Sequence, residues 1–177
     1  VSMVHQHFKL VPSFTVAHNV MLGHEPRRGL FYDGHEAEET VRRLSAEYGL
    51  KVEPGDVVRD LSVGIQQRVE ILKALRTGAD VLILDEPTAV LTPQEAEELF
   101  EVIRRVVEEK NMTVILITHR LPEVMRVSDR VGVMRRGRLE KVMETRDTSE
   151  REIASLMVGR DVLFGDLPGG QAAGEER

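Results

Sequence analysis

The sequence predicts an α/β fold built on a mostly parallel sheet, and three observations carry that reading. Two continuous apolar runs, Val81-Leu82-Ile83-Leu84 and Val114-Ile115-Leu116-Ile117, have the length of strands. Their apolar residues do not alternate with polar ones, so both runs read as strands buried on both faces, as in a parallel sheet. Between them lies a long amphipathic helical pattern. Strand, helix, strand in that order implies a right-handed crossover with the two strands parallel.

The remaining elements follow in chain order. Residues 1–11 read as the end of a strand running into a loop closed by Pro12, and Thr15 to Leu22 as a short helix. Asp33 is placed to cap a helix from about Glu36 to Tyr48 that ends at Gly49. Residues 50–60, with Pro54, Gly55 and Asp56, suit a connector. Ser62 is placed to cap a helix to Arg76, stopped by Gly78. Thr92-Pro93-Gln94-Glu95 is a capping box with proline at the first helical position. Behind it Ala96, Leu99, Phe100, Ile103, Val106 and Val107 share one helical face, ending near Asn111. Met112 to Thr118 is the second buried strand. Residues 129–135 and 138–144 form a hairpin around Arg136-Gly137, and Thr148-Ser149 begins a last helix to about Val158, with Ser149 and Glu152 at capping-box spacing. No internal repeat is present.

Composition narrows the function classes. Of 177 residues, 24 are Lys or Arg and 30 are Asp or Glu, a net charge of -6. A nucleic-acid binder usually carries a basic face, so this balance disfavours one. No cysteine is present, which excludes disulfides and thiolate metal sites. No apolar run approaches the roughly 18 residues of a membrane-spanning helix.

Chemistry converges at one edge of the predicted sheet. Ligands of open parallel sheets bind just beyond the carboxyl ends of the strands. Asp85 and Glu86 end one strand and His119 follows the next. Two carboxylates and a histidine in that position suit a hydrated magnesium ion and an oriented water. Each residue taken singly is more often a plain strand terminus. His5 and His7, two residues apart with no third ligand nearby in sequence, read as plain polar positions.

Four segments together resemble the ABC ATPase family. Leu61-Ser62-Val63-Gly64-Ile65-Gln66-Gln67-Arg68 resembles its signature motif, Val81 to Thr88 its Walker B strand, Ile117-Thr118-His119 its switch histidine, and Val4-His5-Gln6-His7 the strand end leading into its Q-loop. Their order and spacing match, and the resemblance covers residues 1 to about 162. It implies a P-loop NTPase core with an α-helical subdomain at about 13–76, a catalytic remainder at 77–162 and a linker at 163–177. It also implies ATP and Mg2+. Asp85 and Gln6 then hold magnesium, Glu86 is the general base, and His119 contacts the γ-phosphate. Leu61, Ser62, Val63, Gly64 and Gln66 serve the ATP bound to an opposing ATPase domain. A helix N-terminus capped by Ser62 offers free N–H groups to phosphate, and Gly64 permits close backbone approach.

The variants from the commonest motifs have their own meaning. Val63 and Ile65 replace a glycine and a glutamine of the signature, and Leu91-Thr92 stands where Leu-Asp is frequent. With Glu86 to Pro93 and Met157-Val158-Gly159-Arg160, they resemble the first ATPase domain of importers for simple sugars and nucleosides. The resemblance thus implies a peripheral subunit on the cytoplasmic face of the membrane. Its partners would be a second ATPase domain, two transmembrane permease subunits and, indirectly, a substrate-binding protein, with no nucleic acid.

No G-x-x-x-x-G-K-[ST] loop occurs in the chain. In the family that loop lies upstream of the Q-loop segment, so truncation ahead of residue 1 is expected, with an isolated chain that does not turn over. Two other readings remain open. A soluble ABC ATPase acting on ribosomes or DNA shares the catalytic pieces, but would carry coiled-coil insertions or basic linkers, and Arg120 to Met125 and Met134 to Gly137 resemble importers instead. A non-catalytic regulatory remnant has no physical reason to keep Asp85, Glu86 and His119 together.

Overall fold

The computed structural model describes residues 1–159. The chain divides into two compact units, one spanning 1–120 and the other beginning at Leu121.

In the first unit, strands β1 (Ser2–Val4), β4 (Val81–Asp85) and β5 (Thr113–Ile117) form one parallel sheet in the order β1-β4-β5. Helix α4 (Pro93–Lys110) makes the crossover between β4 and β5. Its start carries the full capping box: Thr92 Oγ1 accepts from Glu95 N–H, and the Glu95 carboxylate accepts from Thr92 N–H at 2.9 Å. At its other end Asn111 adopts the left-handed conformation, φ 51°.

Around this sheet stand α1 (Val16–Met21), α2 (Gly34–Tyr48) and α3 (Val63–Leu75); Asp33 and Ser62 cap the last two as the sequence indicates, and Thr15 caps α1. Helix α2 stops at Gly49, whose φ of 69° is open to glycine at little cost. Val16, Val20, Val41, Val69, Leu72 and Leu84 are fully buried and form much of the core. Between α1 and α2 the short strands β2 (Arg27–Arg28) and β3 (Phe31–Tyr32) pair antiparallel across Gly29-Leu30, a hairpin the sequence reading does not contain.

The strands depart from expectation in one respect. Among the described residues, neither β4 nor β5 is covered on both faces. Val4, Leu82 and Leu84 are buried, while on the alternate positions Met3, Ile115 and Ile117 are exposed. The in-register row Met3, Ile83, Ile115 lies on the face that the described residues leave open. Apolar content on both faces marks a strand able to be covered twice; which face is covered depends on elements distant in sequence. Val107 of α4 is likewise exposed, and Val102 is buried instead. The buried arc runs through Leu99, Ile103 and Val106, and Val107 falls about 100° beyond Val106, at its margin.

In the second unit, α5 (Leu121–Val127), absent from the sequence reading, precedes the hairpin β6 (Arg130–Arg135) and β7 (Arg138–Glu144). Arg136 and Gly137 both have positive φ, 50° and 75°, the pairing of a two-residue turn whose twist matches its strands. Helix α6 (Glu150–Val158) is capped by Ser149. Val131, Val133 and Ile153 form the core of this unit, with Leu121, Val124, Met125, Met143 and Leu156 packed against them. The linker expected at 163–177 lies outside the described residues.

Candidate nucleotide site

Three parallel strands in register end together. Val4, Leu84 and Leu116 are neighbours across the sheet, so the residues just beyond them share one edge. Gln6 follows β1, Asp85 and Glu86 close β4, and His119 follows β5.

Glu86 is the most constrained of these residues. Its N–H donates to Ile117 O at 2.9 Å, which extends the β4–β5 ladder by one bond. Its own carbonyl accepts from Ala89 N–H at 3.2 Å, closing the turn through Pro87 and Thr88. To serve both bonds its backbone takes φ 47°, a left-handed conformation that costs a residue with a Cβ on the order of 1–2 kcal/mol. The side chain is then delivered to His119: Oε1 lies 2.8 Å from Nδ1 of the imidazole. A carboxylate oxygen accepts where the ring nitrogen carries a proton, so the contact suits a histidine with N–H at Nδ1. The second carboxylate oxygen, Oε2, is buried and without a protein partner among the described residues. A desolvated, unpaired carboxylate oxygen is costly unless something polar meets it, so this atom marks a place for a water or ligand group.

The donor set suits magnesium only in part. Among the described residues no group of three or more His, Asp or Glu is arranged to close around a metal. Magnesium in nucleotide sites is commonly held by one or two carboxylates together with phosphate oxygens and water. Asp85, half-buried, and the amide oxygen of Gln6 are oxygen donors of the right kind for that arrangement.

The signature residues gather elsewhere, around the N-terminus of α3. Ser62 Oγ accepts from Ile65 N–H at 3.4 Å, and Gln66 Nε2 donates to Leu61 O at 3.0 Å. Val63 is exposed. Gly64 is buried, and a Cβ there would collide with the Glu95 side chain of α4. The family resemblance assigns Gly64 to a phosphate; the structure adds this close helix approach. The capping-box bonds also act on Glu95. Thr92 N–H, then the Thr92 hydroxyl, hold its carboxyl below the usual 4.5. A cavity of about 490 Å³ opens beside Gly64, lined also by Arg68, Glu95, Glu98 and Arg105. None of the strand-end residues lines it.

Other polar side chains escaped the sequence reading. Asn19 and Glu70 are buried in helices whose neighbours are apolar, and both bond to the segment after Gln6. A polar residue inside an apolar helical face is the one sequence signal each offers.

The profile of the ABC transporter family matches residues 1–89. This chain belongs to that family. Among curated relatives of this ABC chain, a nucleoside import ATP-binding protein, NupA of Lactococcus lactis, is 51% identical over 93% of this chain and 32% of its own length. A ribose import ATP-binding protein, RbsA 3 of Rubrobacter xylanophilus, is 46% identical over 92% of this chain and 32% of its own length. The chain thus spans about a third of the length of these relatives. Among solved structures, the dimeric bacterial ABC transporter cassette MJ0796 superposes with a TM-score of 0.67 at 27% identity, covering 82% of this chain and 62% of the other. The same cassette is known in a post-hydrolysis state bound to ADP and Pi, at 28% identity and a TM-score of 0.67, covering 81% of this chain and 62% of that one. The α/β core is therefore that of ABC ATPase cassettes.

Proposed function

We propose that this chain forms part of the ATP-binding and ATP-hydrolysing subunit of an ABC importer for nucleosides or simple sugars. The observation that carries the catalytic half is the joining of Glu86 and His119 across two strand ends, beside a buried carboxylate oxygen with no protein partner among the described residues. The names of NupA and RbsA support the transported class.

In this reading Glu86 accepts the proton of the attacking water. Its left-handed backbone and its bond to His119 hold the carboxylate in one orientation, so little reorganisation is needed when it acts. His119 contacts the terminal phosphate and reports its presence. Asp85 and Gln6 hold magnesium, which when bound with ATP neutralises phosphate charge. Leu61, Ser62, Val63, Gly64 and Gln66 face the ATP of a second ATPase domain, on the same or another chain. Residues 13–76 act as the helical subdomain and 77–162 as the catalytic remainder.

The subunit would sit on the cytoplasmic face of the membrane against two permease subunits, with a binding protein delivering substrate. No helix among the described residues is long and apolar enough to cross a membrane. The phosphate-binding loop would come from outside these 177 residues, which contain no Gly-Lys pair. The test is a transport assay in vesicles holding the complete assembly: ATP-dependent uptake of a labelled nucleoside or pentose is expected. Hydrolysis without uptake of either class would overturn the importer reading.

A further inference from the structure

The segment that follows Gln6 is held by side chains rather than by a strand. Lys9 N–H donates to Glu70 Oε1, and Lys73 Nζ donates to Lys9 O at 2.9 Å. Two residues on, Val11 N–H donates to Asn19 Oδ1 at 2.7 Å, and Asn19 Nδ2 donates to Val11 O at 3.1 Å. Both backbone groups of Lys9 and both of Val11 are thereby satisfied. That spacing is the edge of an extended chain, whose alternate residues present N–H and C=O to the same side. Three helical side chains take the place of the missing neighbour strand. Glu70 and Asn19 are buried, at 5% and 0% exposure, and a buried carboxylate persists only where it is well bonded.

The consequence concerns Gln6. Val4 is tied into the sheet through its pairing with Leu84, and Lys9 is tied to α3 through Glu70 and Lys73. Gln6 lies on the short bridge between them, exposed and outside any strand. Its position is therefore set jointly by the sheet and by α3. The same helix carries Ser62 at its N-cap, two turns before Glu70. A displacement of α3 moves the signature end and pulls on the Gln6 bridge together.

We infer that Glu70 and Lys73 are positioning residues for Gln6: they clamp Lys9 to α3 and so couple the metal-side glutamine to the signature helix. This rests on the proposed role of Gln6 at magnesium. The bonds and burial on which the clamp stands are independent of that role.

The test uses the full-length protein with Glu70→Ala, Glu70→Gln and Gln6→Ala. Glutamine at position 70 keeps an amide oxygen that accepts from Lys9 N–H, whereas alanine does not. Two readouts are taken: amide hydrogen exchange over residues 5–11 without nucleotide, and the Mg2+ concentration for half-maximal ATP hydrolysis. Glu70→Ala should speed exchange at Lys9 about tenfold, the factor of a hydrogen bond to a charged group. It should raise half-saturating Mg2+ by about fivefold, the low end of coupling between interacting sites. Glu70→Gln should restore both. Glu70→Ala combined with Gln6→Ala should shift Mg2+ no further than Gln6→Ala alone. A residue that only stabilised the fold would lower Tm without moving the Mg2+ dependence.

Unchanged exchange at Lys9 in a folded Glu70→Ala protein would overturn the clamp. Faster exchange with an unmoved Mg2+ dependence, while Gln6→Ala shifts it, would overturn the positioning role. If Gln6→Ala itself leaves Mg2+ dependence untouched, the proposed role of Gln6 fails, and the exchange result alone decides the clamp.

Discussion

Nδ1 of His119 and Oε1 of Glu86 meet at 2.8 Å, joining residues that follow two neighbouring parallel strands and lie 33 positions apart in the chain. Groups bonded in this way act as a unit, so their removal should be strongly non-additive. In steady-state ATPase assays of the complete protein, Glu86→Gln with His119→Ala should be little worse than the more damaging single variant. Additive losses would mean that the two residues serve separate steps.

Glu86→Gln alone keeps the shape and removes the proposed base. Hydrolysis should fall by roughly 100- to 10,000-fold, the range of a general base. Near-normal turnover would exclude Glu86 from that role.

Gly64 and Glu95 predict a change of sign. In an exposed helix interior Gly→Ala gains about 1 kcal/mol. Here the new Cβ meets Glu95, whose other oxygen is held by Thr92 N–H and by the Thr92 hydroxyl at 2.8 Å. Gly64→Ala should therefore lower Tm in the parent and raise it in a Glu95→Ala background. The same sign in both backgrounds would show that Glu95 yields freely.

The depressed Glu95 carboxyl makes a pH test. A group whose folded pKa lies below its unfolded value stabilises the fold above the unfolded value, and that contribution is lost as pH falls through the folded one. The loss belongs below 4.5, the carboxyl's ordinary value. Thermal unfolding followed downward through that pH should steepen less in Glu95→Gln than in the parent. Parallel curves would mean that the capping box does not bias Glu95.

The 177-residue polypeptide by itself holds Asp85, Gln6 and His119, the residues proposed to meet MgATP, but no lysine-bearing phosphate loop. Calorimetric titration with MgATP should show weak binding and no turnover. Tight binding would mean that these residues suffice for nucleotide recognition.

The sequence by itself determined what local chemistry controls. Asp33, Ser62, Thr92 and Ser149 cap the helices they precede, because an N-cap needs only an oxygen and the backbone amides two or three residues on. Arg136-Gly137 turns its hairpin for the same local reason. The order of apolar runs around α4 was enough for a parallel crossover, and with it the meeting of Asp85, Glu86 and His119 at one sheet edge. The tertiary structure decided what depends on distant neighbours. The apolar runs of β4 and β5 carry no alternation with polar residues, so only packing could show that the described residues cover Leu82 and Leu84 and leave Ile115 and Ile117 exposed. The Glu95 that crowds Gly64 stands 31 positions away, and the Glu70 that holds Lys9 stands 61 away. Burial and side-chain bonding at such separations are set by the whole fold, and no short window of sequence contains both partners.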